Sequence, residues 1–171
     1  MHKEYKSFLN EEEKIVINNS ILNNRLFPFY WSQNQTLKDS DPFFYHCIKD
    51  PYHGEEIVCR QMFDLFEPIL KRFCKKYKYS YSYLIRASIN LTISLKNKIG
   101  GIHKDHNFKH QSIIIYLNNC KDGYTYIYNN DKKVVAKIKP EQYKILYMND
   151  VYHSASFPKY GRRVVCVMTF K

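Results

Sequence analysis

The segment GGIHKDHNFKH, residues 100–110, carries His103, Asp105, His106 and His110 between a glycine pair and the apolar run SIIIYLN. Imidazole and carboxylate are among the side chains that hold divalent metals. In HKD, His103 and Asp105 lie two positions apart, so on an extended segment both point to one face, as chelation requires. A third ligand has to come from elsewhere in the chain. His153, in NDVYHSASFP, is the only histidine beyond His110 and follows the strand-like YKILYMN. Two imidazoles and one carboxylate on one face suit iron(II) and leave its opposite positions open. Arg163 stands ten residues beyond His153, at the start of RRVVCVMTF. Its planar fork of N–H groups can pair with a carboxylate through two parallel hydrogen bonds.

The remaining histidines read differently. On an extended segment His106 falls on the face opposite His103, and with His110 it reads as polar rim. His46 and His53 have no carboxylate partner in their half of the chain, and His46 reads as filling a gap beside aromatics.

These residues need elements to position them. NEEEKIVINNSILNN, residues 10–24, opens with Asn10 and has Glu13 three positions on, the pattern of a capping box. Apolar residues 17, 21 and 22 continue a helical stripe. RLFPFYWSQNQTLKDSDPFFYHCI follows, aromatic and read as loop with short strand. EEIVCRQMFDLFEPILKRFCKK keeps apolar residues 58, 62, 65, 66, 69, 70 and 73 at helical spacing. Pro68 is expected to kink it. Such an amphipathic helix needs a sheet to lie against.

From residue 84 the period becomes two. In ASINLTISL, Ile89, Leu91, Ile93 and Leu95 alternate with Asn90, Thr92 and Ser94. SIIIYLN, YTYIYN, KVVAKIK, YKILYMN and RRVVCVMTF follow as short strands, separated by CKDG, NNDKK, KPEQ and FPKYG. Many short strands after a helical half predict a mainly β protein with flanking helices, an α+β barrel or sandwich. Neither an internal repeat nor a linker breaks residues 1–171. The expectation is one domain, its helical half at 1–80 packed on a β core at 84–170.

Composition narrows the class. Hydrophobic residues make up 44% and aromatics 16% of the 171 residues, an ordinary globular balance. MHKEYKSFLNEEEK lacks the apolar centre of a signal peptide, and no apolar run is long enough to span a bilayer. Five scattered cysteines with no CxxC pair suit reduced thiols in a cytoplasm. The net charge of +11 suggests nucleic acid. However, only six of the 27 basic residues are arginine, and the lysines are dispersed. Abundant Lys, Asn, Ile and Tyr also reflect AT-rich codons, so charge is weak evidence for such a partner.

The motifs together resemble the Fe(II)- and 2-oxoglutarate-dependent oxygenases. HKD at 103–105, His153 and the GRRVV at 161–165 match that family's HxD, distal His and basic residue in order and spacing. YLN at 116–118 and DGYT at 122–125 are similar to features of its prolyl-hydroxylase-like branch, with Asp122 where that branch has the first glycine of GGxT. The FPFYW and FFYHC stretches are also similar to those of small phage-encoded members, which would place the chain in a host cytoplasm. The resemblance implies a double-stranded β-helix, or jelly roll. It implies Fe(II) on His103, Asp105 and His153, and 2-oxoglutarate chelated to it with its distal carboxylate on Arg163 and Tyr116. Asn90 either contacts that cosubstrate or is an ordinary hydrogen-bonded strand residue.

O2 would be the other small reactant, and the reaction hydroxylation of an unactivated C–H bond. The branch points first to a protein or peptide residue, then to a small metabolite, then to a nucleobase. A zinc hydrolase with the same three ligands and a non-catalytic jelly-roll module are the rivals. The hydrolase has no need of Arg163. Parity turns only one of Arg162 and Arg163 inward. The GxR register of the resemblance selects Arg163, with Val165, Val167 and Thr169 inward and Val164, Cys166 and Met168 outward.

Overall fold

A computed structural model describes residues 1–33, 42–50, 56–95 and 98–171. His53 lies outside the described residues. In chain order the elements are β1 (His2–Tyr5), α1 (Glu11–Ile17) with a π-type turn (Asn18–Leu22), β2 (Tyr30–Ser32), β3 (Phe43–Lys49) and α2 (Arg60–Tyr77). Seven strands follow: β4 (Leu84–Ile93), β5 (Gln111–Tyr116), β6 (Thr125–Tyr128), β7 (Val134–Ile138), β8 (Ile145–Asn149), β9 (Tyr152–Ala155) and β10 (Arg162–Phe170).

Two antiparallel sheets form. The larger has the order β1-β8-β5-β10-β4-β3-β2, the smaller β7-β6-β9. Alternation along the strands divides their side chains into two cores. On the outer face of the large sheet, Ile89, Ile113, Ile115, Val164, Cys166 and Met168 meet Phe66, Ile69, Leu70 and Phe73 of α2. Between the sheets, Ile114, Tyr116, Leu146, Val165 and Val167 meet Ile127 and Ile138 of the small sheet. Burying each such large side chain contributes about 1.5–3 kcal/mol.

The capping box at Asn10 and Glu13 forms in both directions, at 2.8 and 2.9 Å. Ile17 and Ile21 are buried and Leu22 half-buried. The long helix begins at Arg60 rather than further upstream, because Ile57 bridges to Lys49 in extended form. It runs on through Pro68, whose missing N–H costs a rung while the helix's buried face keeps its packing. The first half is more β-rich than its periodicity suggests. HKEY has no alternation to read, yet pairs with β8, and β2 and β3 extend the same sheet at its other edge. No helix among the described residues is long and apolar enough to cross a membrane.

His46, on β3, fills a gap against Phe27, ring centroids 4.5 Å apart. Its Nδ1 donates to the Pro28 carbonyl at 3.0 Å, while the buried Nε2 has no partner among the described residues. Burial holds its pKa below the ordinary 6.5, against the pull of that carbonyl. Protons therefore bind the unfolded state preferentially. The stability this gives is intact above about pH 6.5 and is lost as pH falls towards the folded value. His46→Phe is expected to flatten the acid limb, by at most ~1.4 kcal/mol per pH unit. Urea midpoints at pH 7 and pH 5 check this, and an equal loss in both proteins would refute it.

Candidate metal and carboxylate site

Alternation on β4 and β10 sets one wall of a cavity of about 260 Å³. Asn90 and Thr92 project into it from β4, and Arg163, Val165 and Val167 from β10. Val164, Cys166 and Met168 point the other way, into the helix-side core. Thus Arg163 is buried while Arg162 is exposed, its guanidinium donating to the Leu22 carbonyl at 2.9 Å.

His103, Asp105 and His153 meet at the cavity's other end, with one ligand atom from each within 4.8 Å of the others. His103 and His153 are joined by reciprocal backbone bonds of 3.0 and 2.9 Å. His153 follows β8, as its place after YKILYMN predicts, and itself sits within a further strand: β9 is too short, and too close behind β8, to stand out by periodicity. Nor do His103 and Asp105 share a strand. After the His103 bridge the chain bends, and Asp105 is carried in on that bend. The Nδ1 atoms of His103 and His153 face the carbonyls of Gly101 and Val151, at 2.9 and 3.3 Å. A carbonyl only accepts, so each Nδ1 carries a proton, and in the neutral ring Nε2 is then the nitrogen whose lone pair can meet a metal.

Electrostatics favour the neutral ring at His153. Burial lowers the His153 pKa to about 4, against the opposing pull of Asp105, so its imidazole is neutral at pH 7. Burial alone would raise the Asp105 pKa, but His153, His110 and the Arg86 guanidinium outweigh it and hold the carboxyl well below the usual range. Asp105 Oδ1 accepts from Arg86 Nη2 at 2.8 Å. Its Oδ2 is buried with no hydrogen-bond partner among the described residues, 3.8 Å from His153 Nε2 and 3.9 Å from His110 Nε2.

Four buried side-chain polar atoms lack a hydrogen-bond partner among the described residues, and three of them, on Asn90, Thr92 and Asp105, belong to residues lining this cavity. An unpaired buried polar group costs about 1–3 kcal/mol. Their concentration in one place is what a site for a polar ligand and a cation requires.

At the arginine end, Arg163 Nε donates to the Gly123 carbonyl and Nη2 to Thr125 Oγ1, both at 3.0 Å. Tyr116 donates to the same Thr125 oxygen at 2.7 Å. Tyr116 is wholly buried between the sheets, its ring 5.6 Å from the guanidinium, and burial raises its pKa to about 12. In DGYT, Asp122 takes a positive φ of 69°, a conformation that Asp tolerates better than most residues. A Cβ on Gly123 would meet Cys120 Sγ at 2.5 Å and Arg163 Cδ at 3.0 Å.

His106 and His110 are not rim residues. The bend that delivers Asp105 breaks the parity of the segment and turns both inward, so both are buried. His106 Nε2 pairs with Thr169 Oγ1 at 2.8 Å. His110 Nε2 lies 3.9 Å from Asp105 Oδ2, outside the three-ligand cluster. Thr92, Thr125 and Arg86 belong to the site's surroundings without standing out in the sequence. Continuing the alternation of β4 to both sides of Asn90 would have found Thr92 and Arg86, and Thr125 closes the DGYT motif.

No protein-family model and no curated protein matches the chain. Solved structures do. One is an oxidoreductase of the 2OG-Fe(II) oxygenase family from Burkholderia pseudomallei, with a TM-score of 0.77 at 15% identity, covering 99% of this chain and 84% of that one. A viral collagen prolyl hydroxylase from Paramecium Bursaria Chlorella virus-1, in a 2OG complex, has a TM-score of 0.63 at 13% identity, covering 98% and 94%. A prolyl hydroxylase from Trichoplax adhaerens, bound to a peptide fragment of the hypoxia inducible factor oxygen degradation domain, has 0.67 at 17%, covering 99% and 83%. The two facing antiparallel sheets with helices on one side thus share the jelly-roll fold of these solved structures.

Proposed function

We propose that this chain is an Fe(II)- and 2-oxoglutarate-dependent dioxygenase that hydroxylates a C–H bond. The observation that carries the reading is the Asp105 carboxylate: buried, held well below the usual pKa range, with one oxygen lacking a hydrogen-bond partner among the described residues and two imidazoles whose Nε2 atoms can join it on a metal. A dication satisfies all three groups at once. In this reading His103, Asp105 and His153 hold Fe(II). Arg163 holds the distal carboxylate of 2-oxoglutarate, with Thr125 fixed between it and Tyr116. Asn90 and Thr92 offer the cavity an acceptor and a hydroxyl. When bound, iron and 2-oxoglutarate supply oxidative decarboxylation to succinate and CO2, coupled to insertion of one oxygen atom from O2 into the substrate.

The chain's own part is geometric. Backbone carbonyls fix both imidazole tautomers, the β9 bridge fixes the distance between them, and the buried guanidinium orients a carboxylate before reaction. A protein or peptide residue is the substrate class this reading favours. Phe43 and Tyr45 line the cavity, while Tyr30 and Trp31 on the neighbouring edge strand are well exposed. A polypeptide thus has aromatic surface to lie on beside the iron. The peptide-bound Trichoplax adhaerens neighbour supports the same class. Succinate release from 2-oxoglutarate with Fe(II) in air tests the activity, first alone and then with peptide pools. Succinate that never exceeds the iron-free control under any condition would sink the proposal.

Gly123 offers a finer check of the carboxylate end. A methyl group there has no room beside Cys120 and Arg163, so Gly123→Ala should push Arg163 off its present position. The 2-oxoglutarate requirement should rise by about tenfold, as a loss of ~1.4 kcal/mol would produce. Metal binding should not change. Titration of the Mn(II)-loaded variant with 2-oxoglutarate reads both quantities.

A further inference from the structure

Resting on the iron site proposed above, we infer that Arg86 is a positioning residue that holds Asp105 as a one-oxygen ligand. Three observations lead there. First, the HxD segment leaves the sheet after His103, whose backbone is bound to His153, so Asp105 reaches the site on a bend and not on a ladder. Its carboxylate therefore depends on side-chain contacts for its orientation. Second, Arg86 Nη2 donates to Oδ1 at 2.8 Å, and the Asp105 side chain is only 4% exposed. Third, the other oxygen, Oδ2, has no hydrogen-bond partner among the described residues and faces His153 Nε2 at 3.8 Å, with His110 Nε2 at 3.9 Å. The two oxygens of one carboxylate are thus split between a fixed cation and the metal position.

The backbone of Arg86 is fixed in the large sheet, and its side chain, 30% exposed, reaches Asp105 from there. It lies on β4 in register with Thr169 of β10, whose hydroxyl is held by His106. It shares the polar parity of Ser88, Asn90 and Thr92 and lines the same cavity. An unclamped carboxylate can offer a metal both oxygens. With two imidazoles that would fill four positions of an octahedral ion and leave two. With Oδ1 engaged by Arg86, the three residues fill three positions and leave three, the number that a two-point cosubstrate and O2 require. A guanidinium also suits the task because it stays charged and its fork of N–H groups is directional.

Arg86→Gln, Arg86→Ala and Arg86→Lys, each titrated with Mn(II) and with Co(II), test this, with wild type and Asp105→Ala beside them. Loss of an outer partner of a metal ligand costs about 10–100-fold in metal affinity. The expected result is a loss in that range for Arg86→Ala and Arg86→Gln. The visible Co(II) spectrum should change shape, because the carboxylate is then free to turn, and Arg86→Lys should restore most of both. Thermal unfolding of the metal-free proteins monitors a merely structural role, which would move melting without altering the Co(II) spectrum. If Arg86→Ala does not fold, the Gln and Lys variants decide. Mn(II) affinity within threefold of wild type and an unchanged Co(II) spectrum in the Gln variant would overturn the inference while leaving the iron site standing. A wild-type protein that binds neither metal, or binds them equally well as Asp105→Ala, would overturn both.

Discussion

Asp105→Ala is expected to lose Fe(II) and Mn(II) and to release no succinate above background. The argument is one of charge and count. Asp105 is the only carboxylate among the three candidate ligands, and it is buried and held well below the usual pKa range, with one oxygen lacking a hydrogen-bond partner among the described residues. Removing it takes away one of three donors and leaves two imidazoles and the Arg86 cation facing a dication. The loss should exceed the ~10–100-fold that deleting a ligand's outer partner costs. Asp105→Asn separates charge from shape, since an amide oxygen can still accept from Arg86 but carries no charge. It should also bind metal poorly, and His103→Ala should behave likewise. Mn(II) titration by calorimetry, with thermal unfolding as a control, measures all three. If Asp105→Ala retained the metal and His110→Ala lost it, His110 would be the ligand, since its Nε2 also lies 3.9 Å from Asp105 Oδ2.

How far this site was legible in the sequence depends on whether a local rule governed each residue. Period-two alternation governs β4 and β10. Combined with the GxR register, which chose between Arg162 and Arg163, it placed Asn90, Arg163, Val165 and Val167 on the cavity side and Val164, Cys166 and Met168 on the other, which is the helix side. The capping box needs only Asn10 and Glu13 at the right spacing, and it forms. The rule failed where the chain leaves the sheet. Treating HKDHNFKH as extended put His106 and His110 on a rim. The bend after His103 instead buries both, His106 against Thr169 and His110 towards Asp105. Short strands were also hidden. β1 and β9 are four residues each, and pairing across the fold defines them more than their own composition does. Arg86 illustrates the general limit. Its parity was readable, but its bond to Asp105 joins residues 19 apart across a bend, and no periodicity reports that distance.

Arg163→Ala should raise the 2-oxoglutarate requirement by at least ~30-fold, whereas Arg162→Ala should leave it nearly unchanged. The two side chains are neighbours in sequence and differ only in the face they take. Arg163 is buried at the cavity wall, in register with Thr92 of β4, whose hydroxyl is buried and unpartnered among the described residues. Two of its N–H groups are spent on the Gly123 carbonyl and Thr125 Oγ1. Those bonds hold the guanidinium in place and leave the rest of its five donors for a carboxylate. Arg162 faces solvent and donates to the Leu22 carbonyl, a contact whose loss touches the helix side and not the cavity. Truncating one partner of a buried, hydrogen-bonded charge pair costs about 2–5 kcal/mol. The lower end of that range is the ~30-fold quoted, at tenfold per ~1.4 kcal/mol. Arg163→Lys keeps the charge but loses the fork and should fall between the two. Titrating Mn(II)-loaded protein with 2-oxoglutarate gives the ranking directly. A zinc hydrolase built on the same three ligands would show no such dependence on Arg163. If Arg162→Ala proved the more damaging, the carboxylate would sit on the helix side of β10, and the cavity between the sheets would belong to some other ligand.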